Sequence, residues 1–285
     1  MSDLLARLSG GVAVITGAGS GIGEGLARYA AELGMKVVLA DIARERIEKV
    51  SAEIEAAGGT ALAVPTDVSD PAAIDRLADE AYEAFGEVTL LVNNAGVETL
   101  GFVWEIPAST WERTLAINIH GAIHGVRAFA PRMIAAGRQA FIANTSSIGA
   151  LGIMPVQTSY ILSKHALLAF SECLHLEMKL KKLPISVSVI LPGPVATRIF
   201  SDSEGADDPV SNYHRQLMDG MLRAEGISGP EAARRILPQI AAGEFWVSTH
   251  PEITREFAAN RASHLAELAT PELPPEVLAT LGTVQ

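Results

Sequence analysis

Val12-Ala13-Val14-Ile15-Thr16-Gly17-Ala18-Gly19-Ser20-Gly21-Ile22-Gly23 is the stretch that decides the fold. Its first five residues form a short apolar, β-branched run, the pattern of a strand buried on both faces. Glycines take over, and then Ile22, Leu26, Ala30 and Leu33 fall at helical spacing until Gly34 closes the helix. A glycine turn between strand and helix lets backbone N–H groups approach a pyrophosphate, whose charge the helix N-terminus favours. The same turn could serve only to reverse the chain, and Asp41 separates the two readings. It ends a second apolar run, Lys36 to Ala40, about 20 residues on, where a carboxylate can accept bonds from adenosine ribose hydroxyls. That carboxylate repels a 2′-phosphate, and neither Ala18 nor Ile42 is basic, so the pattern predicts NAD(H) over NADP(H). Arg44 is the cation that would argue otherwise; as an exposed first-turn helix residue it does not.

The alternation continues down the chain. A charged helix over 44–57 ends at Gly58-Gly59 and is followed by a strand over 61–65, a helix over 71–85 and a strand over 89–92. Then come a helix over 109–133, a strand over 140–145, a helix over 159–182 and a strand over 185–191. Strands separated by helices imply βαβ units with right-handed crossovers, and hence an α/β fold: one doubly wound parallel sheet of the Rossmann type with helices on both faces. Ligands then belong at the carboxyl ends of the strands. Beyond Val195 the pattern loosens: 202–213 reads as polar and flexible, a last strand spans 244–248, and a helical tail follows. No repeat or low-complexity linker interrupts the series. The expected organisation is a catalytic, dinucleotide-binding unit over 1–250 with a C-terminal helical extension of the same domain over 251–285.

The composition fits a globular chain, with 48% apolar and 19% charged residues in 285. A net charge of −11 argues against a phosphate-backbone partner such as nucleic acid. One cysteine, Cys173, allows no internal disulfide and reads as a small buried apolar residue. The first ten residues lack an apolar signal core, and no uninterrupted apolar run approaches ~18 residues. The setting expected from these features is cytoplasmic, away from any membrane. Asn144-Thr145-Ser146 fits a glycosylation pattern but falls within an expected strand.

Tyr160 and Lys164 stand four apart on an expected helix, so phenol and ammonium share one face, with Ser147 thirteen residues upstream of the tyrosine. A nearby cation favours the phenolate and lowers the tyrosine pKa, which suits Tyr160 to moving a hydroxyl proton. Bringing a phenol from about 10 to about 7 takes roughly 4 kcal/mol. One ammonium about 4 Å away supplies roughly that at an effective dielectric of about 20. Desolvation of the phenolate subtracts from it, so the positive nicotinamide of NAD+ has to contribute.

These residues together resemble the short-chain dehydrogenase/reductase family, over 10–197 and more loosely to about His250. The matching motifs are T-G-A-G-S-G-I-G from Thr16, Asp67-Val68, N-N-A-G from Asn93, Asn118, Ser147, Y-I-L-S-K from Tyr160 and P-G-P-V-A-T from Pro192. The resemblance implies that Gly17, Ser20, Gly21, Ile22, Gly23, Asp41 and Ile42 hold the dinucleotide. Asp67 and Val68 would border the adenine, and Asn94, Ala95 and Gly96 would line the cleft. It further implies that Ser147 holds the carbonyl oxygen, Tyr160 is the acid/base, and Lys164 binds nicotinamide ribose and tunes the tyrosine. Asn118 would anchor a relay water, and Pro192, Gly193, Val195 and Thr197 would contact the carboxamide.

The segment 199–226, where that family places its substrate lid, offers Phe200, Tyr213, Leu217, Met218, Met221 and Leu222; Leu151, Ile153, Met154 and Val156 add apolar wall. A hydrophobic secondary alcohol or ketone is therefore expected, and the loop at 192–200 with the 245–250 stretch resembles the subgroup of lignin-derived Cα-dehydrogenases. The alternatives are an NADPH-dependent reductase of lipid, steroid or polyketide ketones, and a silent binding protein of the same fold. His120 and His124, four apart, lack an evident third ligand, so no metal is expected. Trp104 and Trp111 read as packing anchors, and Glu45, Glu48, Glu53 and Glu55 as a solvated helix face. The helices over 109–133 and 159–182 carry apolar residues beyond one stripe, among them Ile117, Ile119, Ile123, Val126, Leu167, Phe170 and Leu174. A helix apolar on two sides is buried on two sides, which predicts a homodimer or homotetramer built on them. The alternative is that the tail, with Ile253, Phe257, Ala258, Leu265 and Leu268, covers the surplus.

Overall fold

The structure, a computed structural model, describes residues 4–284. The apolar runs become seven parallel strands: β1 (Val12–Thr16), β2 (Lys36–Asp41), β3 (Thr60–Pro65), β4 (Leu90–Asn93), β5 (Ala140–Thr145), β6 (Ile185–Leu191) and β7 (Trp246–Ser248). They lie in the order β3-β2-β1-β4-β5-β6-β7. The order reverses between β1 and β4, which opens a crevice at their carboxyl ends.

Period-2 alternation sends the side chains of β1 to two cores. Ala13 and Ile15 join the core under α1 (Gly21–Glu32), α2 (Arg44–Ala56) and α8 (Gly229–Ala242). Val12 and Val14 join the one under α3 (Pro71–Phe85), α5 (Gly121–Ala136) and α6 (Thr158–Leu180). Each fully buried Leu, Ile or Phe of these layers contributes about 1.5–3 kcal/mol. α1 and α8 cross at glycines: a Cβ on Gly25 would fall against the backbone of Gly229.

The expected 109–133 helix is divided. α4 (Ala108–Leu115) runs through a π-helical turn, Ala116–His120, into α5. The stretch 202–213, expected to be flexible, is ordered instead. Glu204–Gly205 pairs in parallel with Thr99–Leu100, and α7 (Pro209–Glu225) begins where Asp208 accepts bonds from Val210 N and Ser211 N, both at 3.0 Å. Two helices complete the chain, α9 (Pro251–Glu267) and α10 (Pro275–Leu281). α9 buries none of its residues, and Phe257 rests at Gly152, whereas α10 sends Leu281 and Val277 into a cluster with Phe200 and Leu222. The tail's contacts are thus chiefly with the turn after Ser147 and with α7.

Leu176 and Leu180 on α6 remain 65% and 80% exposed. Cys173 is exposed, contrary to the buried role expected of it, because its position on α6 turns outward between Ser171 and Leu174, which point inward. Trp104 is also exposed and stacks on Phe102 rather than anchoring a core. Asn144 is fully buried in β5, where no glycan could attach. No helix among the described residues is long and apolar enough to cross a membrane.

Candidate active site

The glycine turn is shaped by close approach. Gly17 has φ +65°, and a Cβ there would lie 2.9 Å from Ala95 Cα; one on Gly23 would meet Gly17 O. Thr16 Oγ1 ties the turn to N-N-A-G, accepting from Asn94 N (2.9 Å) and Ala95 N (3.0 Å), and Asn94 Nδ2 donates to Thr16 O (3.0 Å). Ser20 starts α1 without a side-chain cap bond, so the first N–H groups of the helix donate no bond to its hydroxyl. Gly21 lies against Thr197, Ile22 packs at the edge of the first core, and Ile42 is exposed beside Asp41. Asp41 braces the turn by accepting from Gly19 N (3.0 Å) and Ala43 N (2.9 Å). The turn leaves no room for side chains, and the Asp41 carboxylate stands at its β2 side.

Arg44 pairs outward with Glu48 at 3.2 Å. Arg46, which the sequence did not single out, starts beside the turn: a Cβ on Gly19 would come within 3.0 Å of Arg46 Cβ, while its charge acts on Asp202. Asp67 folds back on Ser69 through Oδ1, and Val68 packs against Gly121. Glu53 does not simply face solvent either, since it pairs with Arg28.

The π turn aims Asn118 inward. Its Oδ1 accepts from Val97 N (2.8 Å), while Nδ2 donates to Val97 O (2.9 Å) and Ser163 Oγ (3.0 Å). A single widened turn of this kind re-aims one side chain, and such turns gather at functional sites. His120 and His124 flank it with ring centres 6.2 Å apart. Ser147 leaves β5 in extended conformation and its Oγ accepts from Gly149 N (3.0 Å) and reaches Tyr160. Val156, between serine and tyrosine, has φ +70°, a conformation costing a β-branched residue about 1–3 kcal/mol; its carbonyl accepts from Gly101 N (2.8 Å).

Lys164 is 3% exposed, donates to Thr145 O (3.0 Å) and sits 5.3 Å from the centre of the Tyr160 ring. Burial lowers its pKa to about 8, with Glu98 opposing the fall. Tyr160 departs from the expectation of an acidified phenol. Burial pushes it well up, the negative charge of Glu98 adds to the rise, and the hydrogen bond from Ser147 only partly offsets them. Glu98, which follows N-N-A-G-V, is 2% exposed and was not anticipated as a site residue.

The Pro192–Thr197 loop spans the crevice. Pro192 O accepts from Ile148 N (3.1 Å), Gly193 N donates to Thr249 Oγ1 (2.9 Å), Val195 is buried beside Ile227, and Thr197 meets Gly21. Gly193 also packs on His250. Of the expected substrate residues, Ile153, Tyr213 and Leu217 are exposed and Met154 is half-buried. Phe200 is buried among Leu100, Val156 and Leu222.

A family model described as short chain dehydrogenase matches residues 11–207, the span holding the cradle, Ser147, Tyr160, Lys164 and the closing loop. The chain belongs to the short-chain dehydrogenase family. Among this family's solved structures, one from Burkholderia phymatum in complex with NAD superposes with a TM-score of 0.90 at 34% identity, covering 94% of this chain and 98% of that one. The C alpha-dehydrogenase of Sphingobium sp. SYK-6 is 30% identical over 272 residues, 93% of this chain and 88% of its own. The "probable oxidoreductase EphD" of Mycobacterium tuberculosis is 32% identical over 230 residues, and the match spans only 38% of that protein's length. The family description names a dehydrogenase, and these relatives carry the names of a dehydrogenase and an oxidoreductase.

Proposed function

We propose that the chain interconverts a hydrophobic secondary alcohol, aromatic ones included, and its ketone with NAD(H), using Tyr160 as acid/base. The observation that carries this is the convergence of Tyr160, Ser147 and buried Lys164 beside a glycine cradle that ends at Asp41. A bound nicotinamide would supply the hydride acceptor or donor. The chain's own residues do the rest. Gly17, Ser20, Gly21, Ile22 and Gly23 would hold the pyrophosphate, and Asp41, with Ile42 beside it, the adenosine ribose. Asp67 and Val68 would bound the adenine, and Asn94, Ala95 and Gly96 with Pro192, Gly193, Val195 and Thr197 would orient the ring. Ser147 Oγ would hold the substrate oxygen while the Tyr160 hydroxyl takes or gives its proton. Lys164 would hold the nicotinamide ribose, and its positive charge favours the phenolate. Asn118, fixed on both sides by Val97, would seat a relay water.

Asp41 and the NAD-bound relative support NAD(H). The second reading, NADP(H), rests on Arg46, whose side chain leaves α2 beside Gly19. The apolar flank formed by Ile153, Met154, Tyr213 and Leu217 over Phe200, together with the similarity to a C alpha-dehydrogenase, supports a benzylic or comparably apolar alcohol. The exposed Leu162, Leu176 and Leu180 on α6 support assembly as a homodimer or homotetramer through α5 and α6. Reduction of NAD+ and NADP+ against 1-phenylethanol, a hydroxysteroid and 2-octanol tests the reading. Faster NAD+ reduction with the aryl alcohol is expected; NADP+ preference or aliphatic preference would replace it with the alternative.

A further inference from the structure

The loop that leaves N-N-A-G passes directly over the catalytic lysine. A Cβ on Gly96 would lie 3.4 Å from both Lys164 Nζ and Asn118 Oδ1, and two residues later Glu98 turns its side chain into the protein. The carboxyl is held in place. Glu98 Oε1 accepts from Thr99 N (3.1 Å), and Thr99 is fixed by its hydroxyl contact with Thr114 (2.6 Å) and by Ser159 Oγ, which donates to Thr99 O at 3.3 Å. Thr99–Leu100 also pairs with Glu204–Gly205 at the base of the lid.

The groups facing Glu98 can be named element by element. From α6 come Lys164, whose charge it feels, and Tyr160, on which its own charge acts, and from the π turn the neutral Asn118. From its own loop comes only the Thr99 amide. The adjoining strand brings Glu204, which pairs outward with Arg113 at 2.7 Å and stays about half exposed. One buried cation thus faces a buried carboxyl and the half-buried phenol of Tyr160. Lys164 interacts with Glu98 through space rather than by a hydrogen bond, and Tyr160 is destabilised as an anion by the same carboxylate.

We propose that Glu98 is a positioning residue for the reaction: Glu98 and Tyr160 compete for a single negative charge beside Lys164, so that the carboxyl sets when the tyrosine can ionise. Two acids that share a site cannot both ionise cheaply, and their titrations belong to the pair. While Glu98 keeps its proton, the field of Lys164 acts on Tyr160 alone. Once Glu98 loses it, the tyrosine is held as the phenol. In the oxidation direction the phenolate takes the proton of the substrate hydroxyl and becomes neutral, which frees Glu98 to release its own proton to solvent. One proton enters the pair and one leaves.

This inference rests on the reading of Tyr160 as acid/base, and the experiment separates the two. Tyrosinate absorbance in the near ultraviolet is titrated for the full chain, Glu98→Gln and Glu98→Leu, each with and without Tyr160→Phe, so that the difference isolates Tyr160. Either neutral replacement is expected to bring the Tyr160 midpoint down by about one pH unit or more. The basic limb of the pH profile for NAD+-dependent oxidation of 1-phenylethanol should move the same way. A carboxyl that served only packing would change turnover and leave the midpoint in place, and one that served only substrate recognition would change KM alone. A midpoint unmoved in whichever neutral variant folds, or beyond reach in both, overturns the proposal. If Tyr160→Phe turns over normally, the acid/base reading itself fails; an inactive Tyr160→Phe with an unmoved midpoint overturns the role of Glu98 alone.

Discussion

The two ends of the crevice are built on different terms. At the glycine-turn end, around β1, β2 and β4, the features that matter are backbone positions: glycines with no room for a side chain, a helix start without a side-chain cap, and one carboxylate bracing the turn. At the lid end, α7 and α10 enclose a small apolar cluster of their own while Tyr213 and Leu217 stay open. On the proposed reading, the first end would recognise a ligand by what must be absent from the chain. The second recognises one by how apolar side chains happen to pack, which many sequences can do. A rigid cradle and an adaptable cover make one chemistry compatible with many substrates.

The largest expected effect breaks the cradle. Gly23→Val places side-chain atoms against Gly17 O and must move the turn, so calorimetric NAD+ affinity should fall by about 10²-fold or more. Unchanged affinity would mean that the turn is not where the pyrophosphate lies. Smaller in size but more informative is Asp41→Asn, which keeps an acceptor for Gly19 N while removing the charge. It should narrow the preference for NAD+ over NADP+ by about 10-fold, equivalent to about 1.4 kcal/mol. Adding Arg46→Ala should undo the gain for NADP+, if that guanidinium is what meets the 2′-phosphate. At the lid end the corresponding change is mild. Leu217→Ser should raise KM for an apolar alcohol only about 10-fold, with kcat and NAD+ affinity kept, because a single pocket contact is worth about 1–3 kcal/mol. A collapse of kcat instead would show that the lid takes part in forming the site. On the outer surface, Leu176→Glu with Leu180→Glu should lower the mass seen by light scattering toward 30.0 kDa; a wild type already at that mass ends the oligomer proposal.

The same contrast governs what could be read in advance. The strands were legible because burial on both faces forces unbroken apolar runs such as Leu90-Leu91-Val92, and the glycine turn because few other residues fit it. The start of α7 is missed in the sequence: Asp208 followed by Pro209 is a helix cap, but the polar residues around it mimic a loop. The π turn at Asn118 leaves no mark on composition, since it is a shift of hydrogen-bond register. Arg46 was passed over in favour of Arg44 because two residues rotate a helix position by more than half a turn, a direction that only the packed α2 reveals. Glu98 was hidden for a deeper reason. A carboxylate after a loop motif reads as surface, and its burial against Lys164 arises from α6, more than 60 residues away in the chain. The phenol of Tyr160 teaches the same lesson in energy: spacing located the cation, and only the fold set the desolvation that opposes it.

The central claim is that Tyr160 moves the substrate proton at a site otherwise competent to bind NAD+. Tyr160→Phe removes one oxygen from a ring whose position is fixed by α6. Measured side by side, turnover of a secondary aryl alcohol should fall by at least about 10²-fold while NAD+ affinity stays at the wild-type value. Near-normal turnover with that affinity intact would contradict the account.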